Sequence, residues 1–237
     1  MTRVSVCIAT FNGEKHIVEQ LDSILSQLEA DSEVIVSDDS STDKTIELIK
    51  SLPDKRITIH PNQKFRSPIF NFEHALKQAK GDYIFMADQD DIWLPGRLNT
   101  MMPFFDKYDL IVSDCKVVNE MQETLMESYF AYVRAKPGLF RTLTRTSPYI
   151  GCCMAFNRKL LEKALPFPRS ILMHDFWIAV LAECAFKIKF IYKPLVLYRR
   201  HASAFSATAS ESPNPLYRKM LFRLKTVIPL FFRLVRR

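Results

Sequence analysis

Apolar positions along this chain switch between two periods. Short β-branched runs at residues 4–9, 33–37, 56–60 and 83–87 alternate with stretches at 14–28, 44–52 and 70–80, where apolar side chains return every three or four positions. The first pattern predicts buried strands and the second predicts helices with one apolar face. Ile17, Leu21, Ile24, Leu25 and Leu28 mark the stripe of the first helix. Ser41 or Thr42 is the predicted cap of the second and Pro53 its stop, while Gly81 stops the third. Strands and helices alternating at this pitch predict an α/β fold: right-handed βαβ units around a mixed, mainly parallel sheet flanked by helices.

Beyond residue 108 the pattern is less regular. Residues 109–113 predict a strand that 116–119 extend. Residues 121–146 show no clear period apart from a short helix start at Pro137-Gly138-Leu139-Phe140. Residues 150–156 read as an apolar strand, in which Gly151 allows close backbone approach to a ligand. Asn157 is the predicted cap of a helix over 158–164, and another helix runs from about Met173 to Cys184. Two short strands, 189–192 and 195–198, close the regular part. The expected organisation is a domain over 1–203, divided into halves 1–113 and 114–203, then a small polar loop at 204–213 and a tail over 214–237.

The tail changes the picture of charge. The chain has 237 residues and a formal net charge of +7. Seven basic residues lie at or after Asn214, with no acidic residue among them, so the tail accounts for the whole excess. Within it Leu216, Met220, Leu224, Ile228 and Phe231 recur about every four residues, and Pro229 is expected to kink or split the helix. A basic amphipathic helix predicts an in-plane contact with an anionic membrane surface; docking on the protein's own core or on a twin subunit, as a homodimer, is the alternative. A neutral body argues against a nucleic-acid partner. The five cysteines are odd in number, mostly in apolar runs and without metal-finger spacing, which predicts buried thiols in a reducing compartment. The N-terminal residues lack the apolar region of a signal peptide, so the expected location is cytoplasmic.

In an open parallel sheet, ligands bind outside the carboxyl ends of the strands. The predicted topology brings three polar turns to that edge: Thr10-Phe11-Asn12-Gly13, the turn at Asp38-Asp39-Ser40-Ser41-Thr42-Asp43, and Asp88-Gln89-Asp90-Asp91. Three carboxylates within four residues repel one another unless a positive partner holds them, and a hard divalent cation with oxygen ligands is the simplest one.

These residues, in this order, resemble family 2 glycosyltransferases of the GT-A fold. The resemblance rests on Ala9-Thr10-Phe11-Asn12-Gly13, Val36-Ser37-Asp38-Asp39-Ser40-Ser41-Thr42-Asp43, Gly81-Asp82-Tyr83-Ile84, Asp88-Gln89-Asp90-Asp91-Ile92-Trp93-Leu94-Pro95, Gly151, His174-Asp175-Phe176-Trp177 and Tyr198-Arg199-Arg200-His201. It covers about residues 3–203 and is nearest to the bacterial branch that builds surface polysaccharides, rhamnosyltransferases among them. The segment 61–67 lacks the glycine usual after its asparagine. The resemblance implies inverting transfer of a sugar from a UDP- or dTDP-sugar, such as dTDP-rhamnose, to a hydroxyl of a glycan or lipid-linked acceptor, at the inner face of the cytoplasmic membrane.

Matched motif by motif, it implies Asp175 as general base. Thr10, Phe11, Asn12, Asp39, Lys64, Arg66, Asp88 and Gln89 would face the donor, with Asp39 on the pyrimidine. Asp88, Asp90 and His201 would hold Mn²⁺ or Mg²⁺, the choice between Asp90 and Asp91 staying open. Gly151, Cys152, His174 and Trp177 would line the acceptor side, although Trp177 also suits a core. Lys64, Arg66, Arg199 or Arg200 would help to neutralise the leaving diphosphate. A nucleotidyltransferase of similar fold is the rival enzyme, disfavoured because the first turn is not a glycine- and basic-rich phosphate loop. A non-catalytic nucleotide-sugar-binding subunit is the other alternative.

Overall fold

A computed structural model describes residues 3–144, 146–200 and 216–235. Its frame is one nine-stranded sheet in the order β3-β2-β1-β4-β8-β6-β9-β5, with β7 on the side of β6. The strands are β1 (Val4–Thr10), β2 (Glu33–Asp38), β3 (Ile57–His60), β4 (Tyr83–Asp88), β5 (Ile92–Trp93), β6 (Leu110–Val118), β7 (Thr124–Met126), β8 (Met154–Asn157) and β9 (Ile188–Arg199). Strands β1 to β4 pair in parallel, whereas β8 runs antiparallel to both β4 and β6. The sheet therefore continues through both of the halves expected from the sequence.

Why β1, β2 and β4 carry unbroken apolar runs follows from the two layers they serve. Side chains alternate across a pleated sheet, so neighbours in sequence enter different cores. Cys7, Ile35 and Met86 belong to one core with Phe72, Leu76 and Trp177. Val6, Ile8, Val34, Val36 and Phe85 belong to the other, with Ile17, Leu21, Ile24, Ile49 and Leu98. Helices α1 (Ile17–Leu25), α2 (Thr45–Ser51) and α4 (Arg97–Met101) thus cover one face, and α3 (Pro68–Gln78) the other. The remaining helices are α5 (Tyr129–Val133), α6 (Leu139–Thr144), α7 (Arg158–Ala164), α8 (His174–Ala185) and α9 (Leu216–Val235). Helix α8 is buried on nearly every side from His174 to Ala182, so it lies inside the core shared with Phe72 and Leu76 rather than on its surface.

Several local expectations change. Neither Ser41 nor Thr42 caps α2; the Asp43 carboxylate instead accepts from Thr45 N at 3.0 Å, because the earlier residues are drawn into the neighbouring turn. Residues 150–156 are not one strand: Gly151–Cys153 form a 3-10 turn before β8 begins. The two late strands are one, β9, and Pro194 fits where the pairing with β6 shifts register. Asn157 does cap α7, accepting from Leu160 N at 3.1 Å. Segments β7 and α5 had no signal in the sequence pattern. Pro229 lies inside a continuous α9. The carbonyl it leaves without an intrahelical donor, that of Lys225, accepts instead from Ser170 Oγ at 3.1 Å. No helix among the described residues is long and apolar enough to cross a membrane.

Candidate active site

All three polar turns meet at the carboxyl edge of β1, β2 and β4, and backbone–side-chain bonds fasten them together. The first two are joined by Asn12, whose φ of 50° is one that asparagine tolerates. Its N–H donates to Ser41 Oγ at 2.8 Å and its Oδ1 accepts from Thr42 N at 2.9 Å. Thr10 Oγ1 donates to the Asp38 carboxylate at 3.0 Å, which also accepts from Ser41 N at 2.9 Å. Gln89 joins the third turn to the first. Its Oε1 accepts from Phe11 N at 2.8 Å and its Nε2 donates to Phe11 O at 3.1 Å. Gln89 and Thr10 therefore build the rim and spend their polar atoms within the protein, while the Phe11 ring stands 56 % exposed above it.

Asp39 is nearly buried and organises a fourth loop. Its two carboxylate oxygens accept from Phe65 N at 2.7 Å and Ser67 N at 3.0 Å. The loop turns through Asn62 and Arg66, at φ values of 61° and 50°. The left-handed position is Asn62 itself, which explains why no glycine is needed after it. Lys64 and Arg66 are exposed on the loop that Asp39 holds.

The acidic turn is assembled differently. Asp88 ends β4, partly exposed, with its carbonyl accepting from Gln20 Nε2 at 2.7 Å. Burial pushes its carboxyl up to about 8, and the charges of Asp90 and Asp175 add to the effect. Asp91 is 1 % exposed; burial, then Asp90 and Asp88, push it well above the usual carboxylate range. Its Oδ1 accepts from Arg199 N at 2.9 Å, and among the described residues its Oδ2 has no hydrogen-bond partner. Asp90 stands half-exposed at the lip. Ligand atoms of Asp88, Asp91 and Cys152 lie within 4.8 Å of one another, so the inner part of the turn gathers a donor set that a cation fits. His201 lies outside the described residues.

Beneath this turn is a cation that the sequence pattern showed only as a helix start. Arg97 is fully buried and its guanidinium lies 4.7 Å from the Trp93 ring. Its Nη2 donates to Cys152 O at 2.6 Å. A buried guanidinium beside Asp91 and the Cys152-Cys153 pair offsets part of the crowded negative charge from below. Its only trace in the sequence was its place just after the acidic run and Pro95-Gly96.

Asp175 enters from the other layer, in the first turn of α8, where a carboxylate is favoured by the helix dipole. Its Oδ1 accepts from Phe176 N at 2.6 Å, and the Gly151 N–H also bonds it. Burial raises its carboxyl to about 6. Gly151, which bonds Asp175, is followed by Cys152, whose ligand atom lies within 4.8 Å of those of Asp88 and Asp91, so Asp175 stands near the acidic turn and its charge is felt at Asp88. Gly151 sits against this pair: a Cβ there would come within 3.2 Å of His174 Nε2. His174 is buried against the Phe72 ring at 4.4 Å, and burial holds its imidazole down to about 3, so it is neutral at ordinary pH.

Three expected contacts are corrected. Trp177 is fully buried and its Nε1 donates to Ala164 O at 3.0 Å, so it packs the core rather than an acceptor. Cys152 is fully buried, and its place is beside the acidic turn rather than at an acceptor surface. Arg199 is 3 % exposed, with its guanidinium on Asp90 O at 2.8 Å, Glu120 O at 3.1 Å and Glu19 Oε2 at 2.7 Å. It clamps the acidic turn to β9 and is not available to a diphosphate.

The chain is similar in sequence and fold to known proteins. The sequence model described as Glycosyl transferase family 2 matches residues 5–165. The dTDP-rhamnosyl transferase RfbG of Shigella flexneri is 27 % identical over 213 residues, covering 82 % of this chain and 70 % of that protein. The UDP-Glc:alpha-D-GlcNAc-diphosphoundecaprenol beta-1,3-glucosyltransferase WfaP of Escherichia coli is 36 % identical over 106 residues, covering 45 % of this chain and 42 % of that one. Among solved structures, Staphylococcus aureus TarS 1-349 in complex with UDP-GlcNAc superposes with a TM-score of 0.70 at 22 % identity, over 95 % of this chain and 66 % of that one. The mannosyltransferase PcManGT from Pyrobaculum calidifontis, in complex with GDP-Man and Mn²⁺, gives 0.63 at 21 % identity, over 100 % and 65 %. At these identities the structural likeness speaks to the fold, which is GT-A.

Proposed function

The chain belongs to glycosyl transferase family 2, and from that membership we propose that it moves a sugar, with inversion, from a UDP- or dTDP-sugar to a hydroxyl of a lipid-linked or oligosaccharide acceptor in surface-polysaccharide synthesis. The observation that carries the reading is the closeness of Asp175 to the crowded Asp88–Asp91 turn, through Gly151, which bonds Asp175, and its neighbour Cys152, which groups with Asp88 and Asp91. One displacement needs a base on the acceptor side and charge neutralisation on the leaving-group side, and these two groups are the candidates for those tasks.

Asp175 is the proposed base. A carboxyl raised to about 6 is ionised at neutral pH and is still basic enough to take a hydroxyl proton as the bond to the sugar forms. The Gly151 N–H and the first turn of α8 hold it in place. Asp39 remains the proposed partner of a uracil or thymine imide N–H. Each of its oxygens accepts from the 61–67 loop and keeps a second lone pair for the base. RfbG, named for dTDP-rhamnose chemistry, and WfaP, named for a UDP-Glc donor and an undecaprenol-linked acceptor, support both the donor class and the acceptor class.

A divalent cation, Mn²⁺ or Mg²⁺, fits the donor set of Asp88, Asp91 and Cys152 at the acidic turn, and Asp90, between the two acids in sequence, is the further carboxylate that would hold it with Asp88. When bound, such an ion neutralises the charge that develops on the leaving diphosphate. Without such an ion, burial and then the neighbouring acidic charges raise the proton affinity of Asp88 and Asp91.

A thermal-shift panel tests the reading. Ligand that binds only the folded state raises its melting temperature. UDP- or dTDP-sugars with Mn²⁺ should give the largest rise, and Asp90→Ala should remove the Mn²⁺-dependent part. A rise only with GDP-sugars, or one indifferent to EDTA, would overturn the donor or the metal assignment.

A further inference from the structure

Helix α9 is amphipathic in an unexpected sense. Six large apolar side chains of its last turns, Val227, Ile228, Phe231, Phe232, Leu234 and Val235, are exposed, Phe231 at 64 % and Val235 at 63 %. At 3.6 residues per turn they share roughly 160° of one side of the helix. The other side is docked. Thr226 and Leu230 are buried, and Leu230 joins the core that contains α8.

Two polar fasteners hold it there. Ser170 Oγ donates to the Lys225 carbonyl that Pro229 leaves open. The Arg233 guanidinium donates to the carbonyls of Lys163, Leu165 and Pro166, at 3.0, 2.5 and 2.5 Å. It also lies 5.7 Å from the Trp177 ring, two residues along α8 from Asp175. The last turn of α7 thus gains a cation for its carbonyls, and α9 gains a clip.

We propose that α9 is a rigid seat on an anionic bilayer: Ile228, Phe231, Phe232 and Val235 enter the boundary between headgroups and acyl chains, while Ser170 and Arg233 lock the helix to α7 and α8. Charge selects the occupant. The segment 214–237 holds seven basic residues, of which Arg233 is engaged in the clip, and no acidic ones, and Lys225 is exposed beside the apolar side. Anionic headgroups complement that charge. A second copy in two-fold contact would set two such cationic helices against each other. The seat goes beyond the sugar chemistry proposed above. Because it is clipped rather than tethered, attachment would hold the cleft in one orientation to the surface.

Sedimentation of the full chain with vesicles tests this without any sugar. The chain should pellet with phosphatidylglycerol-containing vesicles, and not with phosphatidylcholine alone. The double substitution Phe231→Ser/Phe232→Ser should lower the partition coefficient on the order of a hundredfold, since each buried aromatic is worth more than a factor of ten. Both residues are exposed, so its melting temperature should not change. Wild-type chain left in the supernatant, or a variant that pellets equally, overturns the proposal. So does a doubled mass in light scattering that this variant reduces to the monomer, which would assign the surface to a second copy. Arg233→Ala tests the clip: amide exchange across α9 should quicken in vesicle-free protein, and unchanged exchange would leave a seat without a lock. Nucleotide-dependent thermal shifts are measured separately, so failure here and failure of the sugar-transfer reading are distinguishable.

Discussion

Two acidic turns flank the β1 turn at one sheet edge, and they are built on opposite terms. In the turn after β2 every carboxylate meets donors supplied by the chain. Asp38 has Thr10 and Ser41, Asp39 has Phe65 N and Ser67 N, and Asp43 has Thr45 and Glu14 N. Partial burial pushes Asp43 up, yet those hydrogen bonds hold its carboxyl below the usual range. In the turn after β4, burial and then the charges of the neighbouring acids push both Asp88 and Asp91 up, and Asp91 Oδ2 has no hydrogen-bond partner among the described residues. The same residue type therefore does scaffolding in one turn and stores unmet charge in the next. Burial and the number of donors together decide which, and a cation is what the second turn has room for.

Four substitutions break or sharpen that contrast. The largest effect belongs to the acid facing the unmet charge. Asp175→Asn should cut transfer by about 10²–10⁴-fold, measured as turnover with a radiolabelled donor, while the donor-induced thermal shift persists. Near-normal turnover would disqualify it as base. Next, Asp39→Ala should destabilise the fold by about 1–3 kcal/mol in urea titration, because two loop N–H groups lose their acceptor. It should also abolish nucleotide binding, whereas Asp90→Ala should abolish only the Mn²⁺-dependent part at unchanged stability.

A smaller effect is set by pH. The folded-state pKa of Asp175 is raised from 3.8 to about 6, so the folded protein binds the extra proton and loses stability as pH climbs through that window. Asp175→Asn should thus be more stable than wild type at pH 7, by about 1–2 kcal/mol after allowance for solvent at the cleft, and no more stable below the lower value. Melting curves at the two ends of the range decide it. Smallest is Asp43→Ala, which removes the acceptor at the start of α2 and should cost about 1 kcal/mol with no change in metal response.

How much of this could be read from residues alone follows from the same contrast. Strands β1 to β4 and their helices announce themselves, because burial on both faces writes long apolar runs and helical stripes. The edge where Thr10, Asp39 and Asp88 gather follows from topology. What the sequence withholds is partner choice among side chains far apart in the chain. Nothing local says that Gln89 will hold Phe11, that Arg97 will lie under Asp91, or that Arg199 will turn inward to Glu19. Trp177 looks the same on a helix whether it faces a sugar or a core. Residues 150–156 mislead because an apolar run suits a 3-10 turn as well as a strand once both are buried.

The bond from Arg199 N to Asp91, with the guanidinium on Asp90 O, has a consequence for anyone recombining family members. The acidic turn and the end of β9 form one inheritable cassette, although 108 positions separate them. A chimaera with its single crossover anywhere between the two would unite halves tuned to different partners. Exchanging acceptor preference without spoiling the donor site calls for paired crossovers that carry both ends together.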